Sequence, residues 1–268
     1  MFDLTGKEVV VIGAGKLSSS VVSVLIDYGC KVAICDKNRQ KADRIAEKIK
    51  SNNIYSFEID SGDISSTTKT FEKITEVLPE IDVVINMVGG NKYIKNLEIG
   101  NVLDNKDLNS IYEIIKLNVI DGMILPIKVM EKYFSTHLHP ISIINMASVG
   151  AINPISDMSI FSMAKASILN YTKWLANQYA RIYGDRVRVN TIVPGFIISR
   201  KNKHLYYNLD NNELSIRGEK IIKNIPMGRF GNEEDIKSTI IWLISDASKY
   251  ITGNTIYIDG GYSINTNV

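Results

Sequence analysis

The chain has 268 residues, 45% of them hydrophobic, enough to bury one large α/β domain or two small ones without a disulfide or metal staple. A formal net charge of +2 gives no strong field to draw in nucleic acid or an acidic surface. No basic stretch, apolar stretch and cleavage site follow one another at the start, and no run of about 20 apolar residues could span a bilayer. A cytoplasmic protein with no membrane partner is therefore expected. Cys30 and Cys35 flank the strand-like "KVAI" and read as reduced core thiols.

Short β-rich runs alternate with longer amphipathic ones. "EVVVIG" (Glu8–Gly13) predicts a first strand, followed by a helix to Tyr28. "KVAICD" (Lys31–Asp36) predicts the second strand and "NRQKADRIAEKIKS" a charged helix. "IYSFEID" (Ile54–Asp60) precedes a helix near Ser65–Leu78, and "IDVVINMVGG" (Ile81–Gly90) is a strand run ending in glycines. A long helix is expected over Leu108–Phe134, a fifth strand at "ISIINMAS" (Ile141–Ser148), and a helix from about Ser162 to Tyr183. "RVRVNTIVPG" and "TIYIDGG" (Thr255–Gly261) complete the pattern.

Continuous Val/Ile runs mark strands covered on both faces, and strand–helix alternation marks parallel crossovers. The expected fold class is α/β: one doubly wound parallel sheet of Rossmann type, about seven strands, with helices on both faces. No repeat, low-complexity tract or linker divides residues 1–268, so one domain is expected. In such a sheet, ligands sit at the carboxyl ends of the strands, where the suggestive residues fall.

Gly13, Ala14 and Gly15 follow the first strand and open a helix at "VIGAGKLSSS". Glycines there let the chain turn tightly and let a pyrophosphate approach the helix N-terminus, although a tight turn without ligand fits the same residues. The fingerprint's third glycine is absent, with Ser18 or Ser19 in its place; Leu17 lies in the same turn. Asp36 ends the second strand, 21 residues beyond Gly15. Its carboxylate suits the adenosine ribose hydroxyls and would repel a 2′-phosphate, favouring NAD over NADP. Read alone, Asp36 also fits a helix N-cap.

Further motifs keep a fixed order: "GD" at Asp63, "INMVGG", Asn118, "INMAS" ending at Ser148, "FSMAK", and "VNTIVPGF". With the ending "IPMGRFGNEEDI…WLISDASKYITGNTIYIDGG", the chain resembles the short-chain dehydrogenase/reductase family over essentially its full length. Its loops "INMVGGNK" and "RGEKIIKNIPMGRFG" look most like the D-mannonate oxidoreductase (fructuronate reductase) branch. The resemblance implies that Asp63 and Ile64 face adenine and that Asn86 and Gly89 pack the cofactor's middle. It further implies that Asn118 lies in a helix supporting a proton relay and that Ser148 hydrogen-bonds the substrate oxygen. Lys165 would grip the nicotinamide ribose, and Pro194 and Gly195 would line the nicotinamide pocket. Read singly, Asn86 and Asn118 also fit satisfied core amides, Ser148 a cap, and Pro194-Gly195 a loop break. A homodimer or homotetramer is what the family resemblance implies.

One departure bears on the chemistry. The family's tyrosine falls 13 residues beyond Ser148 and four before Lys165, which is Phe161 by both rulers. A phenol gives and takes the proton that accompanies hydride transfer, a step worth roughly 10²–10⁴-fold in rate, or about 3–5 kcal/mol. Phenylalanine has no such proton. Two expectations follow: an NAD-linked oxidoreductase acting on a sugar acid of the D-mannonate/D-fructuronate type, with weakened turnover, or a catalytically silent NAD-binding relative. A substrate carboxylate would want a cation, and a lid near residues 196–224 offers Arg200, Lys201, Lys203 and Arg217. His137 and His139 have no acidic or cysteine partner nearby in sequence, and no metal is expected.

Overall fold

The computed structural model describes residues 2–15, 17–91, 108–134, 136, 139–155, 158–199, 202–208 and 210–266. Its centre is a seven-stranded sheet in the order β3-β2-β1-β4-β5-β6-β7, with every pairing parallel. The strands are β1 (Glu8–Ile12), β2 (Lys31–Asp36), β3 (Ile54–Glu58), β4 (Ile81–Asn86), β5 (Ile141–Met146), β6 (Val187–Pro194) and β7 (Thr255–Ile258). The strand order runs outward from β1 to β3, then restarts on the other side of β1 at β4. The carboxyl ends of β1 and β4 thus diverge into a crevice, the usual ligand position in open α/β sheets.

Helices cover both faces. On one face lie α1 (Ser18–Asp27), α2 (Arg39–Ile49) and α8 (Glu234–Ile244), whose Val21, Leu25, Ile45, Ile236 and Ile240 pack on Val9, Val11, Ile34 and Ile85. The other face carries α3 (Ile64–Val77), α4 (Leu108–Ile115), α5 (Leu125–Phe134) and α6 (Ser159–Tyr183). There Phe71, Ile74, Met130, Ile168 and Leu175 meet Val10, Val84, Ile143 and Val189. Alternate residues of each strand thus enter opposite cores, which is why both sets had to be apolar. Between β6 and α8 lies α7 (Ile216–Lys223).

Two helices differ from expectation. The long helix over Leu108–Phe134 is present but interrupted by a π-helical stretch, Lys116–Ile124, which widens the backbone around Asn118. The helix expected from about Ser162 begins at Ser159, so both Phe161 and Lys165 lie inside α6. Its buried positions, including Ser162, Lys165, Ile168, Thr172, Leu175 and Tyr179, form one helical stripe. Lys165 is therefore carried into the interior by helical phase. Two turns on, Thr172 accepts a 2.9 Å hydrogen bond from Asn145 Nδ2 of β5, pinning α6 to the sheet.

Cys30 and Cys35 are free and buried, and burial pushes both thiols well above their ordinary range. Among the described residues no helix is long and apolar enough to cross a membrane, and no cluster of metal-ligating side chains occurs.

Candidate functional site

The first turn is shaped by one glycine and one serine. Gly13 has φ +106°, and a Cβ there would lie 2.8 Å from the Val88 amide nitrogen, so only glycine lets β1 and the loop after β4 approach. The Ser18 hydroxyl is fully buried, donates to the Gly13 carbonyl at 2.5 Å and accepts from the Gly15 amide at 3.0 Å. It stiffens the turn from inside, and its proton faces the turn's own backbone instead of a phosphate. Leu17 precedes α1 without a side-chain cap, leaving the first-turn amides of that helix free of any side-chain acceptor there. Gly15 has only Ser18 Oγ, at 3.9 Å, near the place a Cβ would take, so its outer side is open.

Asp36 braces this turn from β2. One carboxylate oxygen accepts from the Ala14 amide at 2.9 Å; the other accepts from the Asn38 amide at 2.9 Å and lies 3.6 Å from Lys41 Nζ. The cap of α2 is Asn38, so Asp36 is not the N-cap its sequence position also allowed. Asp63 does cap α3, accepting from the Ser66 amide at 2.6 Å, and the neighbouring Ile64 is 52% exposed at the mouth of β3.

At the end of β4, Asn86 is buried and donates to Asn145 Oδ1 at 2.8 Å, while its own Oδ1 has no partner. Asn118 is wholly buried and clamps the following loop. Its Oδ1 accepts from the Gly90 amide at 3.0 Å, and its Nδ2 donates to the Gly90 carbonyl at 2.9 Å and the Ile114 carbonyl at 2.8 Å. Its side chain is a fully satisfied core amide. A Cβ on Gly89, at φ +156°, would lie 2.7 Å from Asn118 Oδ1 and 2.8 Å from Lys165 Nζ, so Asn118, Gly89 and Lys165 form one packed unit.

Lys165 is only 4% exposed. Its Nζ donates to the Met146 carbonyl at the end of β5, at 3.0 Å, and lies 5.7 Å from the centre of the Phe161 ring one turn earlier. Burial alone holds it down from its ordinary 10.5 to about 8. Ser148 accepts from the Gly150 amide at 3.3 Å and caps the short turn Val149–Ala151, so its cap role is realised while its proton stays available. Gly195 donates to the Ile258 carbonyl at 2.9 Å, and a Cβ on it would lie 2.7 Å from Asp259 Cα, so glycine is needed for β6 and β7 to stay together past Pro194.

A cleft of about 540 Å³ opens past β6, between the turn after β5 and α7. One wall is Pro154 and Ile155, and Ile155 lies 3.4 Å from where a Gly150 Cβ would stand, two residues past Ser148. The opposite wall is α7, which presents Arg217, Lys220, Ile221 and, just past its end, Asn224. Among the described lining residues two are cations, Arg217 and Lys220, and none is a carboxylate. Gly218 lets α7 seat there, since a Cβ would run into the Tyr206 carbonyl. Of the expected substrate cations, Arg217 lines the cleft, Lys203 instead lies over the Tyr207 ring at 5.4 Å, and Arg200 and Lys201 fall outside the described residues. His137 also falls outside them, and His139 pairs with Glu80 at 2.7 Å. Sequence reasoning missed Lys220, which the i, i+3 spacing in "IRGEKIIKN" could have placed on Arg217's face, and the Asn145–Thr172 anchor, which leaves no local signal.

The arrangement fits a dinucleotide: an open glycine turn at an uncapped helix start, a carboxylate at the β2 end, and at the β5 end an ammonium with no counter-charge among the described residues. Comparison with known proteins agrees. The profile of the family described as Enoyl-(Acyl carrier protein) reductase, a short-chain dehydrogenase type, matches residues 17–263. A Bacillus subtilis (strain 168) relative, the uncharacterized oxidoreductase UxuB, is 32% identical over 97% of this chain and 96% of its own. A Rickettsia felis 3-oxoacyl-[acyl-carrier-protein] reductase, FabG, is 27% identical over 97% of this chain and 98% of its own. A crystal structure from Haemophilus influenzae, provisionally described as a D-mannonate oxidoreductase with bound NAD, superposes with a TM-score of 0.87. It is 27% identical and covers 99% of this chain and 98% of its own. The chain belongs to the short-chain dehydrogenase/reductase family of oxidoreductases.

Proposed function

We propose that this protein is an NAD-linked oxidoreductase that interconverts a hydroxyl and a keto group on a sugar acid of the D-mannonate/D-fructuronate type. The observation that carries the substrate class is the cleft whose α7 wall brings Arg217 and Lys220 together, with no acid among its described lining residues, and whose facing Ile155 lies against Gly150, two residues past Ser148. Such a wall suits a carboxylate, and Arg217 can bind one through two parallel hydrogen bonds. The Haemophilus influenzae neighbour supports both the substrate class and the cofactor.

When bound, the nicotinamide gives or takes a hydride at the substrate carbon. The protein's residues do the rest. Asp36 keeps lone pairs for the adenosine ribose hydroxyls while holding Ala14, and its charge disfavours a 2′-phosphate, supporting NAD over NADP. The loop from Gly13 to Gly15 and the start of α1, with Leu17 and Ser18, hold the pyrophosphate. Asp63 and Ile64 flank the adenine, and Asn86, Gly89, Pro194 and Gly195 line the middle and the nicotinamide end. Lys165 has hydrogens left beyond its bond to Met146 for the second ribose. Ser148 donates to the substrate oxygen and stabilises charge developing there. In this reading the chain is one domain with a substrate lid near residues 196–224, and the protein acts in the cytoplasm as a homo-oligomer of the family kind.

A second reading is favoured by the Phe161 ring, which stands one turn from Lys165 with no proton to give. In that reading the protein binds NAD without turning it over. Calorimetric titration with NAD and NADH tests what both readings share; the proposal expects saturable binding, and a flat titration overturns it. Following nicotinamide absorbance with NADH and D-fructuronate separates them: turnover by the wild type supports the enzyme, and its absence supports the silent relative.

A further inference from the structure

We infer that Lys165 carries the reaction's proton in this chain, standing in for the phenol that position 161 lacks. This rests on the reading above, which places the reacting oxygen beside Ser148. Among the described residues, the Lys165 ammonium is the one charged N–H group in the cluster formed by Met146, Gly89, Asn118 and Phe161.

The described groups facing it are all uncharged. From β5 comes the Met146 carbonyl, from the loop after β4 comes Gly89, from the π-helical stretch comes the Asn118 amide, and from α6 itself comes the Phe161 ring. Among the described residues none supplies a charge that shifts this ammonium; burial alone holds it at about 8. An ammonium paired with a carboxylate would keep its proton far above neutral pH. One buried among neutral groups can release and regain it close to working pH, which is what a general acid–base needs. Phe161 has the ring of a tyrosine without its acidic hydroxyl, which leaves the Lys165 amine, 5.7 Å from the ring centre, as the titratable donor of the pair.

Reduction of the carbonyl needs one hydride and one proton. The carbonyl carbon receives hydride from the reduced nicotinamide dinucleotide, and the carbonyl π pair moves onto oxygen. That oxygen takes a proton from Lys165 Nζ, directly or across one water. The alcohol leaves, the dinucleotide is left oxidised, and the neutral amine regains a proton from solvent. In the oxidising direction the neutral amine accepts the alcohol proton as hydride departs.

The test is a cycle of Lys165→Arg and Phe161→Tyr, assayed with NADH and D-fructuronate, with NADH affinity measured by calorimetry for each protein. Arginine keeps the positive charge and the ribose donors and cannot release a proton. Lys165→Arg is expected to lower kcat at least 100-fold in the wild-type background. In the Phe161→Tyr background, where the phenol supplies the proton, the loss should be less than 10-fold, with NADH affinity changed only a few-fold in either. Wild-type reduction should fall as pH rises through about 8. Independently of activity, ¹⁵N-lysine-labelled protein without cofactor should show one Nζ signal, missing in Lys165→Arg, that titrates near 8. Equal losses in both backgrounds, a titration above 10, or a wild type that binds NADH yet turns nothing over while Phe161→Tyr does would overturn the inference and leave the cofactor reading standing. Failure of every protein to bind NADH would remove both.

Discussion

At the Asp36 end of the crevice a carboxylate is held by two backbone amides and a nearby lysine, whereas at the Lys165 end an ammonium is buried against a single carbonyl. The first arrangement is self-supporting: Asp36 would stabilise the turn at Ala14 with or without a ligand. The second is not, because a charge taken out of water without a counter-charge weakens the fold. A costly group held in place by Gly89, Asn118 and helical phase points to chemistry more strongly than a satisfied one does. The contrast shows that the same crevice has one end that structure alone explains and one that it does not.

Replacing Phe161 should disturb the costly end most. Phe161→Tyr restores a proton donor one turn from Lys165, and kcat with NADH and D-fructuronate is expected to rise roughly 10²-fold or more. An unchanged kcat would show that proton transfer is not what limits this chain. The cleft offers the next largest effect. Arg217→Ala with Lys220→Ala should raise KM for the sugar acid by about 10- to 100-fold, or ~1.5–3 kcal/mol, through loss of charge-assisted hydrogen bonds. Steady-state kinetics should show kcat changing far less, and a neutral polyol should be insensitive to both changes.

The self-supporting end should respond in stability as well as affinity. Asp36→Ala removes the acceptor of the Ala14 and Asn38 amides, and a loss of about 1–2 kcal/mol in urea unfolding is expected, together with roughly 10-fold weaker NAD binding by calorimetry. The smallest effect has the opposite sign. Lys165 is lowered from 10.5 in the unfolded chain to about 8 in the folded one. The folded state therefore carries the full penalty of its buried charge below pH 8, and stability rises between pH 8 and 10.5 as the folded chain releases a proton the unfolded chain still holds. Lys165→Met should stabilise the protein without cofactor by about 1–2 kcal/mol at pH 7, allowing for the Met146 carbonyl it leaves unpaired. Denaturant titrations at pH 7 and above pH 10 should show this gain shrinking towards zero; a destabilised variant at pH 7 would show that the bond to Met146 outweighs the buried charge.

Much of this was legible in the residues because it depends on local pattern. The Val/Ile runs of β1, β4 and β6 announced a sheet covered on both faces, and the "GAG" turn followed by Asp36 announced the crevice. Other features were not, since they arise where distant segments meet. Nothing around Ser18 tells that its hydroxyl turns inward to Gly13 and Gly15. The interruption of the long helix at Lys116–Ile124 is invisible in a pattern that reads as one helix. Lys203 and Arg217 looked equivalent along the chain, and only the folded lid sends one to a tyrosine ring and the other to the cleft.

The sequence by itself determined the strand–helix alternation, the glycine turn, and the coincidence of Phe161 with a position four residues before Lys165, because periodicity and spacing act over a few residues of backbone. Only the tertiary structure decided that Lys165 is buried against the Met146 carbonyl, that Asn118 is spent on Gly90, and that Lys220 joins Arg217 at the cleft. Burial and charge environment are set by which segments pack together, and those neighbours lie tens of residues apart along the chain.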